Sequence, residues 1–354
     1  MVPVLPHNTS RLLARLLPIV LLLVVFWSAL TSLHYSSPTY DEHEYLSRGY
    51  LYQQTGSTSL KLRHPILLDA LAAAPLRLLP DIVLSADDPA ITAGDFHLFA
   101  ARFMWEANGT RVPQIFFLAR LPAIALLLLL IAAVFGWARA RFGLLAGLVA
   151  MTLAAFDPNL LAHGRLITPD VGQTAFIFLS AFCWWRYWQK STLGRLLTAA
   201  LLLGLAQTAG YPALVLYPLF LVIGGVTVWQ RPDRRAAVWF YLRDYVILVA
   251  VSGLVIWAIY GFSWGPVDAF GFMIPLPAPY YWEEFLDLLT RLSRQDIAYL
   301  NGEVYRGGRW QFFVVGLLVK TPLPILILSA SGLILFFYCR ALLRDVSLWL
   351  IELF

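Results

Sequence analysis

The chain has 354 residues, of which 60% are hydrophobic and only 13% charged, and its mean hydropathy is +0.70. A soluble core of this size cannot hide so much apolar surface, which excludes an ordinary soluble domain and predicts an all-α polytopic membrane protein. The formal charge of +5 then reports topology rather than nucleic-acid binding, because basic residues of such proteins collect in the cytoplasmic loops.

Apolar runs predict about eight transmembrane helices, near 16–33, 115–138, 143–156, 170–189, 195–209, 211–229, 243–262 and 311–338. The first run follows Arg11 and Arg15 and could also serve as a signal peptide, but the alternation of the loops requires it as a retained span. Arg139 and Arg141, then Arg186, Lys190 and Arg195, then Arg231, Arg234, Arg235 and Arg243, then Arg340 and Arg344 fall on one side. That side is cytoplasmic, together with the N-terminus. Residues 1–354 thus form one transmembrane domain with two long external loops, 34–114 and 263–310, and a shorter one over 157–169.

The first loop carries helical signals at 44–54, where Glu44 and Arg48 are spaced to pair at i,i+4. The segments 65–79 and 96–108 fit helices lying along the interface. Asp87-Asp88-Pro89 reads as a turn. The run 347–354 starts an apolar helix and stops, as expected of a fragment of a longer protein. Cys183 and Cys339 lie in apolar runs and predict no disulfide.

Lys320 stands inside an apolar run, where a charge costs a few kcal/mol or more unless it meets a cavity or a counter-charge. Pro322 and Pro324 predict a bend beside it. A lysine snorkelling to the interface is the structural alternative. Asn301 and Glu303, with Arg306 and Arg309, precede this helix and crowd positive charge at the same membrane face. Asp41 and Glu42 follow the first span at once. They are placed to take a proton from, or orient, a hydroxyl there, although Asp41 also suits a helix N-cap. The stretch 157–170 puts His163, Arg165 and Asp170 between two spans, able to hold a phosphate and a carboxylate together, or to form a plain Arg165–Asp170 bridge. Five of the six histidines lie outside, but none has the spacing of a zinc site, so no cofactor is expected.

The order of the Asp41-Glu42 pair, Arg63-His64-Pro65, the PNLLAHGRLITPD block and the NGEVYRGGRWQFFVVGLLVKTPLP block resembles the GT-C superfamily of polyprenol-phosphate-sugar-dependent glycosyltransferases. It is most similar to the bacterial protein O-mannosyltransferase and aminoarabinose-transferase-like enzymes. Such relatives often carry His-Pro-Pro where this chain has His64-Pro65-Ile66. The resemblance implies an inverting transferase in a bacterial plasma membrane, with an extracytoplasmic site and a polyprenyl-phosphate-linked sugar donor. The acceptor is a protein, lipid or glycan hydroxyl or amine. It implies Asp41 as general base, with Glu42 and Asp170 beside it, and His64, Arg165, Asn301, Glu303 and Lys320 binding substrate. Lys320 and Arg165 would neutralise the leaving phosphate. The rival readings are a transporter or flippase of lipid-linked saccharides, which would also use broken helices, and a non-catalytic membrane subunit.

Overall fold

The computed structural model describes residues 7–229, 233–292 and 297–338. Arg231, Asp296, Cys339, Arg340, Arg344 and the run 347–354 lie outside them. Helix α1 (His7–Ser32) continues into a 3-10 turn and an extended link, from which α2 (Glu42–Thr55) starts and ends at Gly56 with φ 70°. Left-handed backbone at that position closes a helix, and glycine adopts it without a Cβ penalty. Helices α3 (Leu67–Ala73), α4 (Pro89–Ala93) and α5 (Phe96–Ala101) complete the first loop, α5 running on as a π-helix over Arg102–Ala107. Asp88 and Asp95 accept from the backbone N–H of Ala90 and Leu98, which fixes the starts of α4 and α5.

The long helix α6 (Val112–Phe142) breaks at Gly143 into α7 (Leu144–Ala155). The short α8 (Pro158–His163) precedes α9 (Pro169–Gln189), α10 (Leu193–Ala209), α11 (Leu216–Trp229) and α12 (Arg234–Ile259). Among the described residues, four helices are long and apolar enough to cross a membrane, and the bent pair at the end of the chain could add a fifth. They fall in α1, α6, the 3-10 turn with α11, and α12, whereas α7 and α10 are shorter apolar helices. Eight full spans are therefore not what the structure displays, although a helix stands at each expected position.

The last expected span also changes form. Between helices α14 (Gln311–Lys320) and α15 (Leu323–Tyr338) the chain bends by 117°. Thr321 is extended, with φ −84° and ψ 131°. Pro322 disfavours helical backbone in the residue before it, so the break falls there.

Nor is the fold purely helical. The second loop holds two antiparallel hairpins, β1 (Trp264–Ala269) with β2 (Phe272–Pro277) and β3 (Ile297–Leu300) with β4 (Glu303–Arg306), flanking α13 (Pro279–Leu292). Both turns have two residues of positive φ, Phe270-Gly271 and Asn301-Gly302. This backbone twist matches that of the strands it joins.

In the bundle, α6 packs on α1, α7 and α9, while α10 lies between α9 and α12. Small residues permit the closest approaches: a Cβ on Gly204 of α10 would meet Val255 Cβ of α12 at 2.5 Å. A second apolar core, including Leu46, Phe99, Met104 and Ile115, joins the first loop to the N-terminal part of α6. It makes that loop a folded cap.

Candidate active site

Glu42 opens α2 and is fully buried, because it is held from several sides. Arg120, inside α6, donates from Nε to Oε1 at 2.8 Å and from Nη2 to Oε2 at 2.6 Å. The backbone N–H groups of Thr39 and Ile167 donate at 2.8 and 2.9 Å, and Arg120 also reaches the carbonyls of Ser36 and Ser37 at 3.0 Å. Burial pushes the Glu42 carboxyl up, but these hydrogen bonds and the guanidinium outweigh it and hold the group below its ordinary range. A carboxylate so enclosed positions its neighbours. Asp41 is different: it is exposed, and although it occupies the N-cap of α2 its side chain makes no cap hydrogen bond.

A second buried network fixes the other side of α2. Arg48 donates from Nε to Asp69 at 2.6 Å, from Nη1 to Glu284 at 2.9 Å and from Nη2 to the carbonyl of His64 at 3.0 Å. His64 Nε2 lies 2.9 Å from Asp69, and Leu62 N–H donates to Glu284 at 3.1 Å. The expected Glu44–Arg48 pair is not made. Glu44 bonds His97 instead, because both members point into the cap and take tertiary partners. Burial pushes Glu284 up by more than Arg48 draws it down. Gly49 allows this packing, since a Cβ there would lie 2.0 Å from the carbonyl oxygen of Asp69.

Between these networks stands Tyr45. Burial raises its hydroxyl above the ordinary value, and the nearby carboxylates of Asp41, Asp69, Glu44 and Asp170 raise it further. Tyr45, Asp69, His163 and Thr168 are the polar residues along a narrow cleft of about 20 Å³ whose exposed surface is almost entirely apolar. Leu68, Leu71, Pro122, Ala123, Leu126 and Val171 supply much of its apolar wall. His163 approaches Asp170 at 3.5 Å, whereas Arg165 Nε is buried and makes no hydrogen bond among the described residues, where no Arg165–Asp170 bridge forms.

The remaining expected residues are dispersed. Asn159 of α8 donates to the carbonyl of Lys320 at 3.0 Å, which joins the α8–α9 connection to the break between α14 and α15. The Lys320 side chain is exposed. Asn301 serves the β3–β4 turn, and Glu303 pairs with Arg309 at 3.1 Å on the exposed hairpin. No hydrogen bond or ion pair among the described residues links Asn301 or Glu303 to Asp41. His64, His97 and His163 each face a carboxylate. Among the described residues no three His, Cys, Asp or Glu side chains are grouped as a metal site.

Arg120, Arg48, Asp69, Tyr45 and Glu284 did not stand out in the sequence as site residues. Arg120 had a signal, a lone charge inside an apolar span, the same one that marks Lys320. Asp69 in Leu67-Leu68-Asp69-Ala70-Leu71 had a weaker one.

A family model described as dolichyl-phosphate-mannose-protein mannosyltransferase matches residues 114–257. Searches of the curated proteins and of the solved structures find no match. The matched stretch is less than half of the chain. It includes Arg120, Arg165 and Asp170 and stops short of Asp41 and Lys320 on either side. It supports the GT-C superfamily and a membrane glycosyltransferase.

Proposed function

We propose that the chain transfers a sugar from a polyprenyl-phosphate carrier to an acceptor hydroxyl at the external membrane face. The observation that carries this reading is Asp41, exposed at the start of α2 beside a Glu42 that Arg120, a residue of the matched stretch, locks in place. In this reading Asp41, exposed beside a locked Glu42, takes the acceptor proton as the new bond to the anomeric carbon forms. The bond from that carbon to the phosphate oxygen breaks on the opposite face, and the lipid phosphate leaves with the electron pair, inverting the centre. Arg165, whose Nε has no partner among the described residues, and Lys320 at the helix break offset the charge on that phosphate. Glu42 and Asp170 shape the surrounding field. His64, fixed by Asp69, together with Asn301 and Glu303 on their hairpin, contacts the substrates from the loops.

The test is transfer of labelled sugar from a polyprenyl-phosphate donor by membranes containing the protein, with Asp41→Asn as comparison. The amide keeps the shape of the side chain and removes the base, so turnover is expected to fall about 10²–10⁴-fold. A variant retaining more than half of wild-type turnover refutes the base assignment. Movement of intact donor across the membrane without transfer would favour a flippase.

A further inference from the structure

The β1–β2 hairpin exposes an unusual amount of apolar surface. Phe270 is 85% exposed, Phe272 73% and Met273 65%, and Ile274, Trp264 and Phe262 are exposed beside them. The only charged side chain in 262–277 is Asp268, which is exposed and accepts from Gly271 N–H at 2.8 Å beside the turn. In water such a patch favours association or aggregation.

The pattern says what kind of surroundings it needs. Successive residues of a strand point to opposite faces. Phe272, Met273 and Ile274 are consecutive, apolar and exposed, so each face of this two-stranded ribbon presents apolar side chains, with Asp268, the partner of Met273, the one charge among them. A partner protein docking on a sheet covers one face and leaves the other wet. An apolar medium covers both.

The base of the ribbon also lies where such a medium is at hand, given that α12 spans the membrane. Ile259 ends α12, and the hairpin begins at Trp264. Trp257 Nε1 donates to the carbonyl of Ser263 at 2.7 Å, and its ring meets those of Phe262 and Trp264 at 5.3 and 6.0 Å. Aromatic residues at a helix end favour the headgroup level. The ribbon is thus tied to the membrane boundary by its root, and Val267 and α13 steady it from the protein side.

We propose that the β1–β2 hairpin is a lipid anchor, its tip at Phe270–Met273 inserted among the lipids next to the C-terminal end of α12. This holds the second external loop, with α13 and Glu284, at a fixed depth over the bilayer. It is independent of the chemistry assigned to Asp41.

The experiment uses the full chain with Cys183→Ala and Cys339→Ala, reconstituted in phosphatidylcholine vesicles. Nitroxide is attached to Phe270→Cys, Phe272→Cys or Met273→Cys, with Val246→Cys in α12 as lipid reference and Ala86→Cys in the first loop as water reference. Collision with oxygen relative to a polar nickel chelate, loaded on both sides by freezing and thawing, reads the surroundings. All three tip positions are expected to match Val246→Cys, with a ratio several-fold above that of Ala86→Cys. Ratios equal to the water reference overturn the proposal. A split result, with position 272 or 273 shielded from both reagents, also overturns it and indicates a protein partner on one face. The unlabelled cysteines give a second reading, since a charged maleimide should modify Ala86→Cys and spare the tip. Equal modification would overturn the anchor.

Discussion

Replacing Arg120 by methionine removes four hydrogen bonds at once, two to Glu42 at 2.8 and 2.6 Å and one each to the carbonyls of Ser36 and Ser37 at 3.0 Å. Glu42 would keep only Thr39 and Ile167 as donors while remaining buried. Breaking a buried ion pair from one side costs about 3–5 kcal/mol, because the surviving charge has no compensation. Glu42→Gln should also destabilise, by stranding the Arg120 charge. The double variant should cost less than the sum of the two, with a coupling of about 1–3 kcal/mol. Thermal unfolding of the purified protein in mild detergent measures the cycle. The pH dependence has a definite sign. Glu42 is held below its ordinary range, so its stabilisation is present above the unfolded carboxylate value of about 4.3 and is lost as pH falls through the lower folded value. Without Arg120 that loss should begin at higher pH. Additivity of the single variants within about 0.5 kcal/mol would refute direct coupling.

Lys320→Met should weaken binding of a polyprenyl-phosphate-linked sugar about ten- to a hundredfold, the worth of one charge-assisted hydrogen bond of about 1.5–3 kcal/mol. It should disturb the helix little, and unchanged donor affinity in detergent would remove Lys320 from the site. Gly49→Ala should cost about 1–3 kcal/mol in the same thermal assay, because the new methyl would meet backbone of α3 at 2.0 Å and not a side chain that can move. Glu284→Gln should show the opposite pH trend to Glu42. The Glu284 carboxyl is pushed up, so its favourable contribution is complete below the unfolded carboxylate value and fades as pH rises through the higher folded value. The glutamine variant should therefore gain on the wild type over that rise, and a pH-independent difference would contradict the assignment.

Hydropathy located the helices well because lipid leaves the backbone few other options. It could not say which of them reach across, since α7 and α10 are apolar but short. The bend at Lys320 was legible in Thr321-Pro322, where steric exclusion acts locally. The β3–β4 hairpin was legible too, through Asn301-Gly302, and was hidden only by the expectation of an all-helical chain. Phe270-Gly271 gave no such sign, because a bulky residue at positive φ is uncommon. The local spacing of Glu44 and Arg48 suggested a pair that tertiary structure overrides. Arg48 and Glu284 are separated by 236 residues, and nothing local in either sequence segment foretells their contact.

The two buried arginines explain how a site can be built at a membrane face with little hydrophobic force between its parts. Helices already surrounded by lipid gain little by hiding apolar surface from one another, so polar contacts acquire relative weight. Arg120 ties the end of α1, the start of α2 and the loop before α9 into one unit. Arg48 ties α2, α3 and α13, and through Glu284 it brings the loop over 263–310 onto the loop over 34–114. Lys61–Glu283 at 2.7 Å and Arg63–Asp287 at 3.2 Å repeat that tie at the exposed rim, where each adds little. The charges that hold the frame are thus neutralised within it. Asp41 and Lys320 are exposed, and Arg165 presents a buried nitrogen without a partner among the described residues. On this division of labour, loss of a frame charge should lower stability and transfer together. Loss of Asp41 or Lys320 should lower transfer or binding and leave the unfolding temperature in place.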